Sequence, residues 1–344
     1  MRKKVTIQDI ADSLGISRNT VSKAINNSEG LADATRERIL QKAVELGYKQ
    51  FSYVGSMRDG AASSQGEPEY QGQIALLTTT FLSNSHFASL MLDKFQQELA
   101  QLGYTLNTHR VTAQNLAELT LPITLQLQQT RGIVCIEMFD WNYGKMLSEL
   151  GVPMLFVDGP ARCNGESLPV DQLYMDNTTQ VTRFVNDMLR QGQSRIGFVG
   201  NYGHCQSFYE RYTAFLVAMF TADVPVRRDQ CIPYLEQAII RQRIASMPEL
   251  PDVFLCANDF VALDVIAALR AIGKRVPEDV RVCGFDDSAE SRHCDPPMTT
   301  IHIHTQIMAF SAIHLLISRI RQPSLDCRTV YTETELIYRK STQL

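Results

Sequence analysis

The sequence predicts a multi-domain protein: an all-α head, a polar linker and a larger α/β body built on parallel sheets. Three observations predict it. Apolar residues recur at helical spacing through residues 5–46. Residues 49–72, KQFSYVGSMRDGAASSQGEPEYQG, shift to Gly, Ser and polar residues, the composition of a tether. From residue 73 onward, short apolar runs alternate with amphipathic stretches, the pattern of parallel strands joined by helices. At 344 residues the chain is also too long for one ordinary core.

The head comes first. Thr6 can cap a helix, with Asp9 as its partner three residues on; Ile7, Ile10, Ala11 and Leu14 follow at helical spacing, and Gly15 ends it. Ser17 can cap a second helix running to about Asn26, with Val21, Ala24 and Ile25 inward. The connection Gly15-Ile16-Ser17 is short enough to make the two helices cross. A third, Thr35 to Leu46, can cover them with Ile39, Leu40, Ala43 and Val44. Three short helices on one small core form a helix-turn-helix unit. Arg18, Asn19, Ser22 and Lys23 then fall on the outer face of the second helix, the element that enters the major groove in this motif. Arg18 can pair with guanine O6 and N7, Asn19 with adenine N6 and N7, and Lys23 with base or phosphate. Ser17, Thr20 and the helix N-terminus suit phosphate oxygens. Charge agrees. Residues 1–50 carry nine Lys/Arg and six Asp/Glu, a net of +3, whereas the other 294 carry 24 and 31, a net of −7. A basic head on an acidic body meets a polyanion through the head.

DIADSLGISRNTVSKAIN resembles the DNA-binding head of the LacI/GalR family, at Asp9, Ile10, Ala11, Gly15, Ile16, Ser17, Thr20, Val21, Ser22 and Lys23; TRERIL and LGY continue it. The resemblance implies DNA contacts from Thr6, Ser17, Arg18, Asn19, Thr20, Ser22, Lys23 and Asn26. It also implies a hinge, roughly Y-x-P-N-x-x-A-x-x-L, that folds on DNA. Counted from Tyr48, this chain has Gln50 for Pro, Phe51 for Asn, Val54 for Ala and Met57 at the Leu position, with Gly55 weakening a helix. Two readings stand: Met57 wedges into the minor groove, or residues 50–72 are a plain tether with Phe51 and Tyr53 on the head.

In the body, GQIALLTTT, TLNTHR, RGIVCIEM, VPMLFVD, SRIGFVG, DVFLCAND and VRVCGFDD read as strands. FASLMLDKFQQELAQLGY, TTQVTRFVNDMLRQG and FVALDVIAALRAIG read as helices. Ligands in such folds sit beyond the carboxyl ends of strands, and polar residues stand there: Asp158, Asn258, Asp259, Asp286 and Asp287. Asp259 reads as the cap of the following helix. The region resembles the two-lobed periplasmic-binding-protein-like core of the same family through FVDGP, MDNTTQ, ERYTAF, CANDFVAL, PPMTTIHI and ELIYRKST. The match implies a head over 1–49, a linker over 50–72 and a core over 73–344 that crosses between lobes near 170, 298 and 323. The N-lobe would hold 73–169 and 299–323, the C-lobe 170–298 and 324–344. It implies an effector cleft lined by Phe87, Asp158, Arg211, Asn258 and Asp286, suited to a polyol, with Phe87, Trp141 or Phe260 covering apolar faces of a ring.

Other classes are excluded. No GxSxG, Walker loop, HExxH or GxGxxG is present, so no enzyme is expected; adjacent Asp286 and Asp287 would point to opposite faces rather than flank one substrate. Eight scattered cysteines without CxxC and seven histidines without ligand spacing predict no metal or cofactor. No apolar run approaches the ~18 residues that span a bilayer, and no signal peptide opens the chain, which predicts a cytoplasmic protein. The expected function is a homodimeric regulator, by family analogy a repressor, that binds a pseudo-palindromic DNA operator and answers to a sugar or sugar derivative.

Overall fold

A computed structural model describes residues 5–25, 31–46, 48, 70–79, 86–163 and 165–343, with some side chains in two of its helices excepted. The head comprises α1 (Ile7–Leu14), α2 (Arg18–Ile25) and α3 (Asp33–Leu46). Thr6 and Asp9 form a reciprocal capping box, and Gly15 ends α1 in the left-handed conformation at φ 66°. Ser17 starts α2: its Oγ accepts from the Thr20 backbone N–H at 3.1 Å. Ile10, Ala11, Val21, Ala24, Ile25, Ile39, Ala43 and Tyr48 close the small core, which also takes in Ile307 and Phe310 of the body.

The body has two lobes. β1 (Gly72–Thr78), α4 (His86–Gln101), β2 (Tyr104–Arg110), α5 (Ala113–Glu118), β3 (Thr130–Ile136), α6 (Trp141–Ser148), β4 (Met154–Val157) and β5 (Asp171–Met175) open the first. α7 (Thr179–Arg190), β6 (Ile196–Val199), α8 (Gln206–Thr221), α9 (Gln237–Ala245), β7 (Val253–Cys256), α10 (Asp259–Ala271), β8 (Arg281–Cys283) and α11 (Ala289–His293) build the second. The chain returns through β9 (Thr300–Ile303), α12 (Thr305–Arg321), β10 (Thr329–Thr332) and β11 (Thr334–Ile337).

The first sheet is wholly parallel, in the order β10-β5-β4-β3-β1-β2, and the second, β6-β7-β8, is parallel too. Inner strands of the first sheet such as β3 and β4 are buried along most or all of their length, which is why they read as continuous apolar runs, while β2 and β10 at its edges are largely exposed or half-buried. β9 and β11 pair antiparallel between the lobes.

The lobe limits differ from those expected. β5 and β10, at 171–175 and 329–332, hydrogen-bond into the first sheet, although the sequence boundaries at 170 and 323 assigned both segments to the C-lobe. The chain leaves the first lobe near 176, returns near 304 and leaves again near 333, where the Asp176 N–H donates to Thr332 O and Thr334 Oγ1 donates to Asp176 O. A buried ion pair explains β5. The Asp171 carboxylate is fully buried and accepts from Arg319 Nη2 and Arg328 Nη2, each at 2.8 Å. Paired twice, an acidic residue can start an interior strand. Among the described residues, no helix is long and apolar enough to cross a membrane and no cluster could hold a metal ion.

Candidate effector cleft and DNA-reading face

On α2, Val21, Ala24 and Ile25 are buried, while Arg18, Asn19 and Lys23 are exposed and Ser22 is half-buried. The spacing 18, 19, 22, 23 places these four side chains on one side of a helix whose other side is core. Ser17 and Thr20 bond each other through their hydroxyls at 2.7 Å at the helix start. Thr6 is exposed, with its hydroxyl shared with Asp9 at 2.7 Å. Asn26 and Met57, like the rest of the hinge up to residue 69, lie outside the described residues.

The cleft lies between the lobes, where the strands end. A cavity of about 220 Å³ is lined from the first lobe by Glu137, Phe139 and Asp158, beyond β3 and β4. From the second lobe it is lined by His204, Ser207, Phe208, Arg211, Asn258, Phe260 and Asp286. Four of the five expected cleft residues therefore meet here. Phe87 falls in the first turn of α4, and its side chain is not among those described. Trp141 does not reach the cleft; it starts α6 and packs on the apolar cluster of the first lobe.

Arg211 is the centre of the site. Its side chain is buried, its Nε donates to Asn177 Oδ1 at 2.9 Å, its Nη1 donates to Ala257 O at 2.6 Å, and its guanidinium lies 3.4 Å over the Phe285 ring. Asp286 Oδ1 stands 3.9 Å from the same Nη1. Burial pushes the Asp286 carboxyl well above the ordinary range, against the pull of Arg211 and with the push of Asp259, Glu137 and Asp158. Burial also raises Asp158, although its Oδ1 accepts from the N–H groups of Gly159 at 2.9 Å and Ser207 at 3.2 Å. His204 contacts Phe139 of the first lobe, ring centres 4.9 Å apart, and Phe208 of its own lobe at 5.4 Å. Burial of that ring lowers its basicity.

Asn258 carries a role that the sequence assigned to Asp259. Its Oδ1 caps α10, accepting from Val261 N–H at 2.9 Å, while the residue also lines the cavity. Asp259 is instead fully buried beneath, accepting from Ser288 N–H at 2.7 Å and Thr300 Oγ1 at 2.6 Å. Sequence reasoning missed Glu137, Phe139, His204, Ser207 and Phe208. Glu137 directly follows β3, so the strand-end rule that found Asp158 would have found it. His204 and Phe208 follow β6 across a loop and a helix start, where no local pattern marks them. These groups can bind hydroxyls and enclose a small ligand.

Known proteins share both parts of this architecture. A family model described as bacterial regulatory proteins, lacI family, matches residues 6–50, and one described as periplasmic binding protein-like domain matches residues 185–342. The HTH-type transcriptional regulator CelR of Thermobifida fusca is 27% identical over 349 residues, covering 99% of each chain. The HTH-type transcriptional repressor PurR of Mannheimia succiniciproducens is 25% identical over 351 residues, covering 98% of each. Two solved structures share the fold. A transcriptional regulator CelR–cellobiose complex has a TM-score of 0.69 at 24% identity, over 98% of this chain and 100% of that one. A lac repressor dimer bound to operator and the anti-inducer ONPF has a TM-score of 0.67 at 20% identity, over 99% and 100%. Residues 6–50 thus match the lacI family of bacterial regulatory proteins and residues 185–342 a periplasmic binding protein-like domain, and over its whole length the chain is similar to proteins named as HTH-type transcriptional regulators and repressors.

Proposed function

We propose that the protein is a cytoplasmic homodimeric repressor that binds a pseudo-palindromic operator and is controlled by a carbohydrate in the interlobe cleft. The observation that carries the DNA half is the exposed row Arg18, Asn19 and Lys23 on a helix whose other face is buried. Arg18 and Asn19 read base edges, Lys23 reads base or phosphate, and Thr6, Ser17, Thr20 and Ser22 position the head on the backbone. Asn26 and Met57 extend the contact at the end of α2 and in the hinge. Two heads held by one dimer bind half-sites a fixed distance apart, which is why the operator is pseudo-palindromic.

The effector half rests on the cleft. Arg211, Asn258, Asp158 and Asp286 offer the paired donors and acceptors that vicinal hydroxyls need, and Phe208 and Phe260 offer apolar faces. Phe87 belongs to the same wall by family analogy. The solved CelR relative carries cellobiose, which favours the carbohydrate reading. Because the cleft draws on both lobes, a ligand that contacts both favours one interlobe angle, and that angle reaches the heads.

The test begins with selection of operators from randomised pseudo-palindromes by the full-length protein. Arg18→Ala is expected to cost ~1–3 kcal/mol at one base position and to relax specificity there. Uniform weakening over all sequences would assign Arg18 to a phosphate instead. Melting against a panel of sugars then identifies the effector, and its addition to the operator complex gives the sign of control.

A further inference from the structure

The charge inside the cleft bears on the ligand's own charge, given the carbohydrate reading above. Among the described lining residues, Glu137, Asp158 and Asp286 carry carboxyls, whereas Arg211 alone carries a guanidinium. The three acids follow three different strands, two in the first lobe and one in the second, so they surround the space rather than crowd one edge. Each has a left-handed backbone, with φ of 56°, 54° and 114°, a conformation that costs free energy for a side-chain-bearing residue and re-aims it.

Arg211 lines the same cavity, but its Nε and Nη1 already donate to Asn177 Oδ1 and Ala257 O and its plane is stacked on Phe285, so a single, partly engaged guanidinium stands against three carboxyls. Burial of the His204 ring works against its carrying a compensating charge. Aromatic rings stand beside the acids: Phe139, Phe208 and Phe260 line the same cavity. Carboxylates flanked by aromatic faces form a surrounding that favours an ammonium over an anion. The raised Asp286 and Asp158 carboxyls agree: in the empty cleft their ionisation is held back by burial, and a bound cation offsets that cost.

We propose that the effector is a cationic, amine-bearing polyol, its ammonium held among Glu137, Asp158 and Asp286, and that phosphorylated sugars are rejected. Neutral sugars fit the same hydroxyl contacts and bind more weakly.

The experiment is calorimetric titration of the full-length protein with three matched sets of probes: glucosamine, galactosamine and mannosamine; glucose, galactose and mannose; and the three hexose 6-phosphates. An amine is expected to bind roughly 10- to 100-fold more tightly than its neutral parent, the range of one charge-assisted contact, with no binding of the phosphates. Glu137→Gln is expected to shrink that ratio, weakening the amine more than its neutral parent. A neutral hexose or a phosphate binding as tightly as the amine, or more so, overturns the inference and leaves the carbohydrate reading standing. Binding by no member of any set overturns both together, whereas operator binding by the head is a separate measurement. A ratio that survives Glu137→Gln, Asp158→Asn and Asp286→Asn alike would also sink it, because the preference would then have another source.

Discussion

Asp286 and Asp287 stand side by side in the chain, and φ angles of 114° and 58° turn their side chains to different surroundings. Asp286 faces the cleft. Asp287 is buried behind it, accepting from Arg339 Nη2 at 2.6 Å, Arg292 Nη2 at 2.7 Å and His302 Nδ1 at 3.0 Å. Burial alone would raise the Asp287 carboxyl, but the bonds from His302, Arg292 and Arg339 outweigh it and hold the group well below the ordinary range. Two opposite outcomes are expected. Asp287→Ala leaves charged partners uncompensated and costs ~3–5 kcal/mol in urea unfolding. Asp286→Asn leaves folding intact and weakens effector binding. The pH dependence follows from the sign. A carboxyl depressed in the folded state contributes stability above its unfolded pKa near ~4, and that stability is lost as pH falls through the folded value. Urea melts at falling pH should therefore show a shallower acid loss in Asp287→Asn than in the parent protein. A difference of zero would mean the ion pairs do not persist in solution.

At the scale of the element, two glycines separate backbone need from packing need. Gly15 sits at φ 66° with nothing within 4 Å of where a Cβ would stand. Gly15→Ala should cost only the left-handed strain, ~1 kcal/mol, read as faster hydrogen exchange in α1 and α2 of the full chain. Gly284 follows β8, and a Cβ there would strike Asp259 Oδ1 and the Met298 sulfur in the buried interior of the second lobe. Gly284→Ala is expected to destabilise the second lobe much more than Gly15→Ala destabilises the head; equal effects would argue against this packing. Most body strands announce themselves as apolar runs, and the head helices by their caps. β5 does not, because DQLYM opens on two polar residues. Its place in the sheet depends on Arg319 and Arg328, about 150 residues away in the chain.

At the scale of the whole molecule, the basic head and acidic body act on different partners. Operator affinity should fall steeply with salt, by a slope of about −0.9 per phosphate contacted. Lys23→Ala should lower that slope by about 1 if Lys23 meets phosphate, and leave it unchanged if Lys23 reads a base. On the function proposed above, a ligand that draws the lobes together would act on the three connections between them, near 176, 304 and 333. An effector at ~100 times its Kd should add about 2.7 kcal/mol to the body's stability, a shift that a melting curve resolves.

What the sequence by itself determined is local in origin. Caps, helical spacing and a polar face over residues 6–25 specify a helix-turn-helix, because each depends on neighbours within a turn or two. Strand ends likewise marked Asp158, Asn258 and Asp286. What only the tertiary structure decided is non-local: which lobe β5 and β10 join, that Asn258 rather than Asp259 caps α10, and that Glu137, Phe139 and His204 share one cleft. Strand pairing and cleft walls bring together residues tens to hundreds of positions apart. The free energy that selects them lies in buried pairs such as Asp171 with Arg319 and Arg328, which no window of sequence contains.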